Sequence, residues 1–245
     1  MYTETDLLLS RTEDLIQSVD KRTIVFTQFL SENELPLVNS LIAKSGYHYR
    51  IFGGYDNAER SMIGISSFDM LSPDSFPITT LSFRTGSRNA IRHRDVLGAI
   101  MSLGIKREFV GDIIFADNRC FFFVSDTIAA YIICNLKSVA NCTVVLEEYI
   151  GEIHYEKNFE DILCNVTSMR LDCIVSAVTA CSRSDAENII MSGAVRINGV
   201  ETKKKDAALK LGSVLTVKHN GKYRIDSAVG QTKKGRIKLK ILKYI

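Results

Sequence analysis

Positions 170–199 read RLDCIVSAVTACSRSDAENIIMSGAVRING, and this stretch decides how the C-terminal third of the chain is organised. Leu171, Ile174, Val175 and Val178 recur at helical spacing, so a helix is expected from Arg170 to Thr179 with that stripe inward. Ser182 stands where an N-cap belongs. Its hydroxyl can satisfy an amide that the next helix leaves open, while Ala186, Ile189 and Ile190 form the inward face of that helix. Gly193 ends it. Ala194 to Ile197 then reads as a short strand, and Asn198-Gly199 as a tight turn that accepts positive φ.

The pattern downstream stays short and stranded. Lys203, Lys204 and Lys205 occupy a loop, and Val214 to Val217, His219-Asn220-Gly221 and Tyr223 to Ile225 spell a hairpin. The chain closes on the basic loop Thr232-Lys233-Lys234-Gly235-Arg236 and an alternating strand. There Ile237, Leu239 and Ile241 face one way while Lys238 and Lys240 face the other.

Charge separates this part from the rest. Residues 165–245 hold sixteen Lys and Arg against six Asp and Glu, a net +10; residues 1–164 hold fifteen against twenty-two, a net −7. An asymmetry of this size points to a nucleic-acid or anionic-surface contact in the basic part, against the plainer reading of a solvated basic face. Apolar residues at 46% and charged residues at 24% are the balance of a folding, non-disordered chain. No run approaches the roughly 18 apolar residues of a membrane-spanning helix. The first fourteen residues carry acids where a signal peptide carries bases, so a cytoplasmic location without membrane insertion is expected. Six cysteines without a C-x-x-C pair suggest reduced, mostly buried thiols. Four dispersed histidines, His48, His93, His154 and His219, suggest no metal cluster, and no cofactor is expected.

The expected fold class is α+β overall, with a small α/β unit at the N-terminus. A polar helix around Glu13 to Ser18 and a mixed apolar run from Ile24 to Leu30 come first. Ser31 with Glu34 forms a capping box ahead of Leu37, Val38, Leu41 and Ile42, and Gly46 stops that helix. Tyr47 to Phe52 reads as a strand ending at Gly53-Gly54, Asp56 as the cap of a short helical turn, and Met62 to Phe68 as a further strand. Pro73 and Pro77 mark a first boundary. Beyond it come a strand (Ile78 to Phe83), a helix (Arg92 to Leu103) and a hairpin (Asp112 to Phe115 and Cys120 to Val124, across Asp117-Asn118). A helix (Thr127 to Leu136) and a strand (Thr143 to Tyr149) follow. This βαββαβ order is ferredoxin-like, an arrangement that RNA-recognition domains share with many unrelated proteins. The expected division is an N-terminal α/β unit over 1–74, a ferredoxin-like domain over 75–163, and the basic α+β module over 166–245.

Two resemblances follow from these residues. Arg170-Leu171-Asp172, Ser182-Arg183-x-x-Ala186 and Ile190-x-x-Gly193-x-Val195-x-Ile197-Asn198-Gly199 are similar to the RNA-binding module named after ribosomal small-subunit protein S-four. Gly212-Ser213 stands where that module usually has Gly-Asp, a departure confined to one turn. Phe52-Gly53-Gly54-Tyr55-x-x-Ala58-Glu59-Arg60, His93-Arg94-Asp95-Val96-Leu97-Gly98-Ala99, Leu103-Gly104-Ile105-x-Arg107, Gly111-Asp112-Ile113 and Thr232 to Arg236 resemble the bacterial YlmH family across nearly the whole chain. That resemblance implies an RNA-binding protein of the large ribosomal subunit carrying peptidyl-tRNA, in rescue or quality control of stalled translation, with a link to cell division. Its implied partners are large-subunit ribosomal RNA, tRNA and the ribosome, with a division-related protein as a further partner.

The expected RNA-binding residues are Arg170, Arg183, Arg196, Lys203, Lys204, Lys205, Lys233, Lys234 and Arg236. Arg170 and Arg183 open the two helices of the module, beside amides that favour phosphate, and a guanidinium grips two phosphate oxygens at once. The competing reading is pairing within the module, of Arg170 with Asp172 or Asp185. Arg92, Arg94 and Arg107 offer a basic rim on the central domain, against surface pairing with Asp95 or Glu108. Phe121-Phe122-Phe123 could stack bases, but Arg119-Cys120 lacks the glycine that an RNP signature carries there, and burial is the better reading. His93-Arg94-Asp95 has none of the companions of a kinase catalytic loop. Gly53-Gly54 is the only glycine doublet, too little for a nucleotide- or methyl-donor-binding turn. No catalytic residue is therefore assigned. The alternatives are a division-linked adaptor whose acidic part binds protein while the basic part holds RNA loosely, and an RNA-modifying enzyme.

Overall fold

The computed structural model describes residues 3–19, 24–68, 71–86, 91–151, 153, 155 and 159–244; His154 lies outside them. The chain divides into two compact units, Met1–Tyr155 and Glu156–Ile245, each mixed α and β.

The first unit opens with α1 (Glu4–Ser18), longer than the polar helix expected because Thr3 and Asp6 form a capping box at its start. After β1 (Ile24–Phe26) comes α2 (Glu34–Ala43). Its capping box is made from one side: the Glu34 carboxylate accepts from the Ser31 amide at 2.7 Å and hydroxyl at 2.6 Å. Strands β2 (His48–Phe52) and β3 (Met62–Ser66) complete a three-stranded antiparallel sheet in the order β1-β3-β2. The helical turn expected after Asp56 is absent; residues 53–60 form an irregular loop with Asn57 at φ 62°.

The second sheet of this unit is built from β4 (Ile78–Arg84), α3 (His93–Ser102), β5 (Val110–Ala116), β6 (Arg119–Ser125) and α4 (Asp126–Asn135). A small hairpin, β7 (Ser138–Val139) and β8 (Cys142–Thr143), leads to β9 (Glu147–Glu148). Asp117 and Asn118 take positive φ at the β5–β6 turn. The sheet order is β5-β6-β4-β9, antiparallel throughout. The long last strand expected from Thr143 to Tyr149 shrinks to two paired residues, with Tyr149 N adding one bond to Thr80 O.

Both faces of this sheet are buried. Phe122 points with Leu81, Val96, Ile100 and Ile132 into the core beneath α3 and α4. Phe121 and Phe123 alternate to the other face, where Phe29, Tyr55, Met62 and Phe76 from the preceding segments cover them. Tyr55 stacks on Phe123 at 5.0 Å, and Tyr149 meets Phe121 edge-on at 4.9 Å. No ring of this strand is left for a base.

The loop at 53–60 is fastened by Asp112, which is buried. Its carboxylate accepts from Tyr55 Oη at 2.8 Å, Glu59 N at 2.6 Å and Arg60 N at 3.1 Å. Burial first, then the Asp112 charge, push the Tyr55 phenol above its ordinary pKa, so it remains a donor. Arg60 donates to the carbonyls of Val110, Phe29 and Arg107, and Arg107 to those of Val110 and Gly111. Burial, and then repulsion from Arg60, lower Arg107 to about 10. Arg107 is thus an internal cross-link and does not belong to a basic rim with Arg92 and Arg94, which lie nearer the surface. The motifs around Gly53-Gly54, Glu59-Arg60, Arg107 and Gly111-Asp112 converge on one structural knot.

The second unit begins with β10 (Phe159–Val166), a strand that precedes the expected module start at 166. It pairs along its whole length with the last strand. Helices α5 (Leu171–Thr179) and α6 (Arg183–Met191) follow, then β11 (Val195–Ile197), β12 (Val200–Glu201), β13 (Val214–Val217), β14 (Gly221–Gln231) and β15 (Ile237–Tyr244). The sheet runs β10-β15-β14-β13-β11-β12. Leu171, Ile174, Val175, Ala186 and Ile190 of the helices share one core with Val195, Leu215, Val217, Tyr223, Ile225, Leu239 and Ile241, so both helices cover the same face. Of the six cysteines only Cys120 and Cys173 are buried, and all six are free thiols.

Candidate nucleic-acid interface

The start of α5 and the start of α6 meet over a single carboxylate. Arg170 stands in extended conformation at the N-cap of α5, and Arg183 is the first residue of α6 behind the Ser182 cap, whose hydroxyl accepts from Asp185 N at 3.1 Å. Asp172 lies between them with its side chain wholly buried. Arg170 Nε and Nη2 donate to its two oxygens at 3.1 Å each. Arg183 Nε and Nη2 both donate to Oδ2, at 2.9 and 2.6 Å. Cys173 N completes the set at 2.9 Å. Burial by itself would raise the Asp172 carboxyl; the hydrogen bonds from Arg170 and Arg183 outweigh it and hold the group well below the usual carboxylate range.

Pairing within the module is therefore real for Arg170, through Asp172; Asp185 instead accepts from the Ser182 hydroxyl. The pairing does not bury the arginines, whose side chains remain 42% and 54% exposed. The three groups together carry one net positive charge, and the charge of Asp206 also acts on Arg170. Each arginine uses Nε and Nη2, and neither Nη1 makes a hydrogen bond to a described residue.

The helix amides take a different part from the one expected. At α5, Leu171 N and Asp172 N donate to Ala207 O and Lys205 O at 2.9 and 3.0 Å. A folded loop has taken the place offered to phosphate, because open amides at a buried helix start need partners of their own. The same bonds pin residues 205–207 beside Arg170. Lys205 is held by Glu187 at 2.7 Å, while Lys203 and Lys204 are exposed and make no ion pair among the described residues.

Arg236 comes near Arg183 but is not brought to Arg170 by the cleft that Arg183 and Arg236 share. The turn between β14 and β15 is closed by Thr232 N to Arg236 O at 2.8 Å, Gly235 N to Thr232 O at 2.9 Å and Arg236 N to Thr232 Oγ1 at 3.0 Å. Arg183 and Arg236 flank an open cleft of about 240 Å³ with Asn165, Thr167, Cys173 and Ser176 on its walls. Lys233 and Lys234 are exposed on the same turn. Arg196 lies elsewhere: Val195 and Ile197 pack into or against the core, so alternation turns Arg196 to the sheet face away from the helices. That second face also carries cations not singled out in the sequence. Lys222 lies 4.8 Å from the Tyr244 ring centroid and Arg224 5.2 Å from that of Phe159. The alternation noted for Lys238 and Lys240 extends to β14 and could have revealed them. Among the described residues no group of His, Cys, Asp and Glu could hold a metal ion.

Comparison with known proteins finds two domain families in the chain. Residues 74–153 match the family described as "Putative RNA-binding domain in YlmH", and residues 169–215 match the S4 domain. Both of these domains are present in the chain. The S4 match contains Arg170, Asp172, Arg183, Arg196 and Lys203 to Lys205, while the turn bearing Lys233, Lys234 and Arg236 lies beyond it. A curated relative, "Ribosome-associated protein quality control protein P2" of Bacillus subtilis (strain 168), is 25% identical over 215 residues, covering 86% of this chain and 83% of the relative. The solved structure "Cell division protein ylmH from Streptococcus pneumoniae" aligns at a TM-score of 0.52 with 19% identity, over 61% of this chain and 94% of that one; this likeness concerns fold alone.

Proposed function

We propose that this protein is a non-catalytic RNA-binding factor of the ribosome, acting in the cytoplasm in quality control or rescue of stalled translation. In this reading it contacts large-subunit ribosomal RNA and tRNA. The observation that carries the reading is the pair of half-exposed guanidiniums held on one buried carboxylate within the S4 domain. Such a forked, preset cationic edge suits phosphate, and the name of the Bacillus relative supplies the ribosomal setting. We assign phosphate contact to Arg170, Arg183, Arg236 and Lys203 to Lys205, with Lys233 and Lys234 extending the surface. Arg196 would serve a contact on the other sheet face.

The three functional parts are then 1–74, a ferredoxin-like domain at 75–155, and the basic module from 156, which includes β10. The antiparallel order β5-β6-β4-β9, with α3 and α4 in the crossovers, supports the ferredoxin-like assignment. A second reading, a division-linked adaptor with a protein partner, is favoured by the name of the pneumococcal protein and by the acidic first two thirds of the chain.

The test is crosslinking of RNA to the tagged protein in cells, with Arg183→Ala beside wild type, together with binding in vitro at increasing salt. Neutralising about four to six phosphates gives a slope of log affinity against log salt of about −3 to −5. Crosslinks should fall on large-subunit ribosomal RNA and tRNA and weaken in the variant. Random messenger RNA crosslinks unchanged by the variant, or a slope near zero, would sink the reading.

A further inference from the structure

We propose that Asp172 is a positioning residue for RNA: an acidic side chain whose neutralisation weakens the hold on phosphate. The inference deepens the function proposed above and rests on it. Counting charge alone predicts the reverse, since removing a negative group from a polyanion-binding surface raises the local positive potential. Geometry overrides the count. One buried carboxylate receives four guanidinium hydrogen bonds, from an N-cap residue and from the first residue of the next helix, and among the described residues it is the only acid bonded to either arginine.

Without that carboxylate two like charges would face each other around a common point and move apart. Each arginine would also regain the rotamer freedom that must be lost again when a ligand binds. With Asp172 in place the ordering is done on folding. Nε and Nη2 are engaged by Asp172, while Nη1 of each fork makes no hydrogen bond to a described residue and each side chain stays about half exposed, at 42% and 54%. The arrangement needs the guanidinium shape as well as its charge, because an ammonium at Arg183 cannot bond Asp172 through two nitrogens and still present a third to a phosphate.

The experiment measures binding of a fluorescein-labelled RNA stem-loop to the full-length protein by anisotropy, from about 50 to about 200 mM salt. Wild type, Asp172→Asn and Arg183→Lys are compared, each first checked for folding by circular dichroism. D172N is expected to bind about tenfold more weakly, with the salt slope reduced by about 1 to 2 as one or both arginine contacts are lost. A merely destabilised protein would show fewer active molecules at an unchanged slope. R183K keeps the charge and is expected to weaken binding by a comparable factor. Equal or tighter binding by D172N overturns the proposal. Should D172N fail to fold, R183K decides, and wild-type affinity in that variant overturns it. Absence of salt-dependent binding by wild type itself defeats the functional reading, and the inference with it, whereas failure confined to the variants defeats only the inference.

Discussion

Replacing Asp112 by alanine removes the acceptor on which residues 55–60 are hung. Three donors lose their partner: Tyr55 Oη, Glu59 N and Arg60 N, at 2.8, 2.6 and 3.1 Å. A hydrogen bond to a charged group contributes roughly 1.5–3 kcal/mol, and an amide left buried without a partner costs about 1–3 kcal/mol. Glu59 and Arg60 are half-buried, so water reaches them in the variant and the largest values do not apply. The expected loss is about 3–5 kcal/mol. For a unit of this size each kcal/mol moves the melting temperature by about 2–4 °C, which gives a fall of roughly 10 °C. Circular-dichroism melting of the full-length protein reads the global effect, and hydrogen exchange at the Glu59 and Arg60 amides reads the local one. Tyr55→Phe removes one donor and should cost about 1–2 kcal/mol. A D112A variant within about 0.5 kcal/mol of wild type, with both amides still slow to exchange, would show that the carboxylate does not hold the loop.

Two further outcomes follow from the same structure. The Asp172 carboxyl sits well below its unfolded value of about 3.9, so its contribution to stability is complete above that value and is lost as pH falls toward the depressed folded value. The urea midpoint of wild type should drop more steeply than that of D172N between about pH 5 and about pH 3, and parallel curves would refute this. Gly54→Ala places a Cβ 2.2 Å from Phe123 Cδ1 at φ +101°, and should cost roughly 2–4 kcal/mol in chemical denaturation from strain and overpacking together; a neutral effect would mean that the loop moves freely.

Much of the second unit is legible in the sequence because its signals are local. The stripe Leu171, Ile174, Val175 and Val178, the Ser182 cap, Gly193 and the Asn198-Gly199 turn each act within a few residues, and each forms where the local pattern places it. The departures depend on distant partners. The turn after Asp56 is not helical because Asp112, more than fifty residues away, takes the amides of Glu59 and Arg60. The last strand of the second sheet is short because only Leu81 and Ser82 pair with it. Arg107 has the sequence context of a surface cation, yet desolvation beside Arg60 and nearby carbonyls makes it internal.

Periodicities, caps, turns and the basic excess of the final third are properties of near neighbours and of composition, and the linear chain carries them in full. How they are used is set by packing. The fold covers both faces of the phenylalanine strand, fills the amide end of α5 with loop carbonyls, and sends Arg196 to the opposite side of the sheet from Arg183. It also sets Arg170 and Arg183 on the same buried acid. Burial, and the low dielectric that comes with it, belong to the packed chain as a whole, and burial turns a nearby charge into a fixed partner.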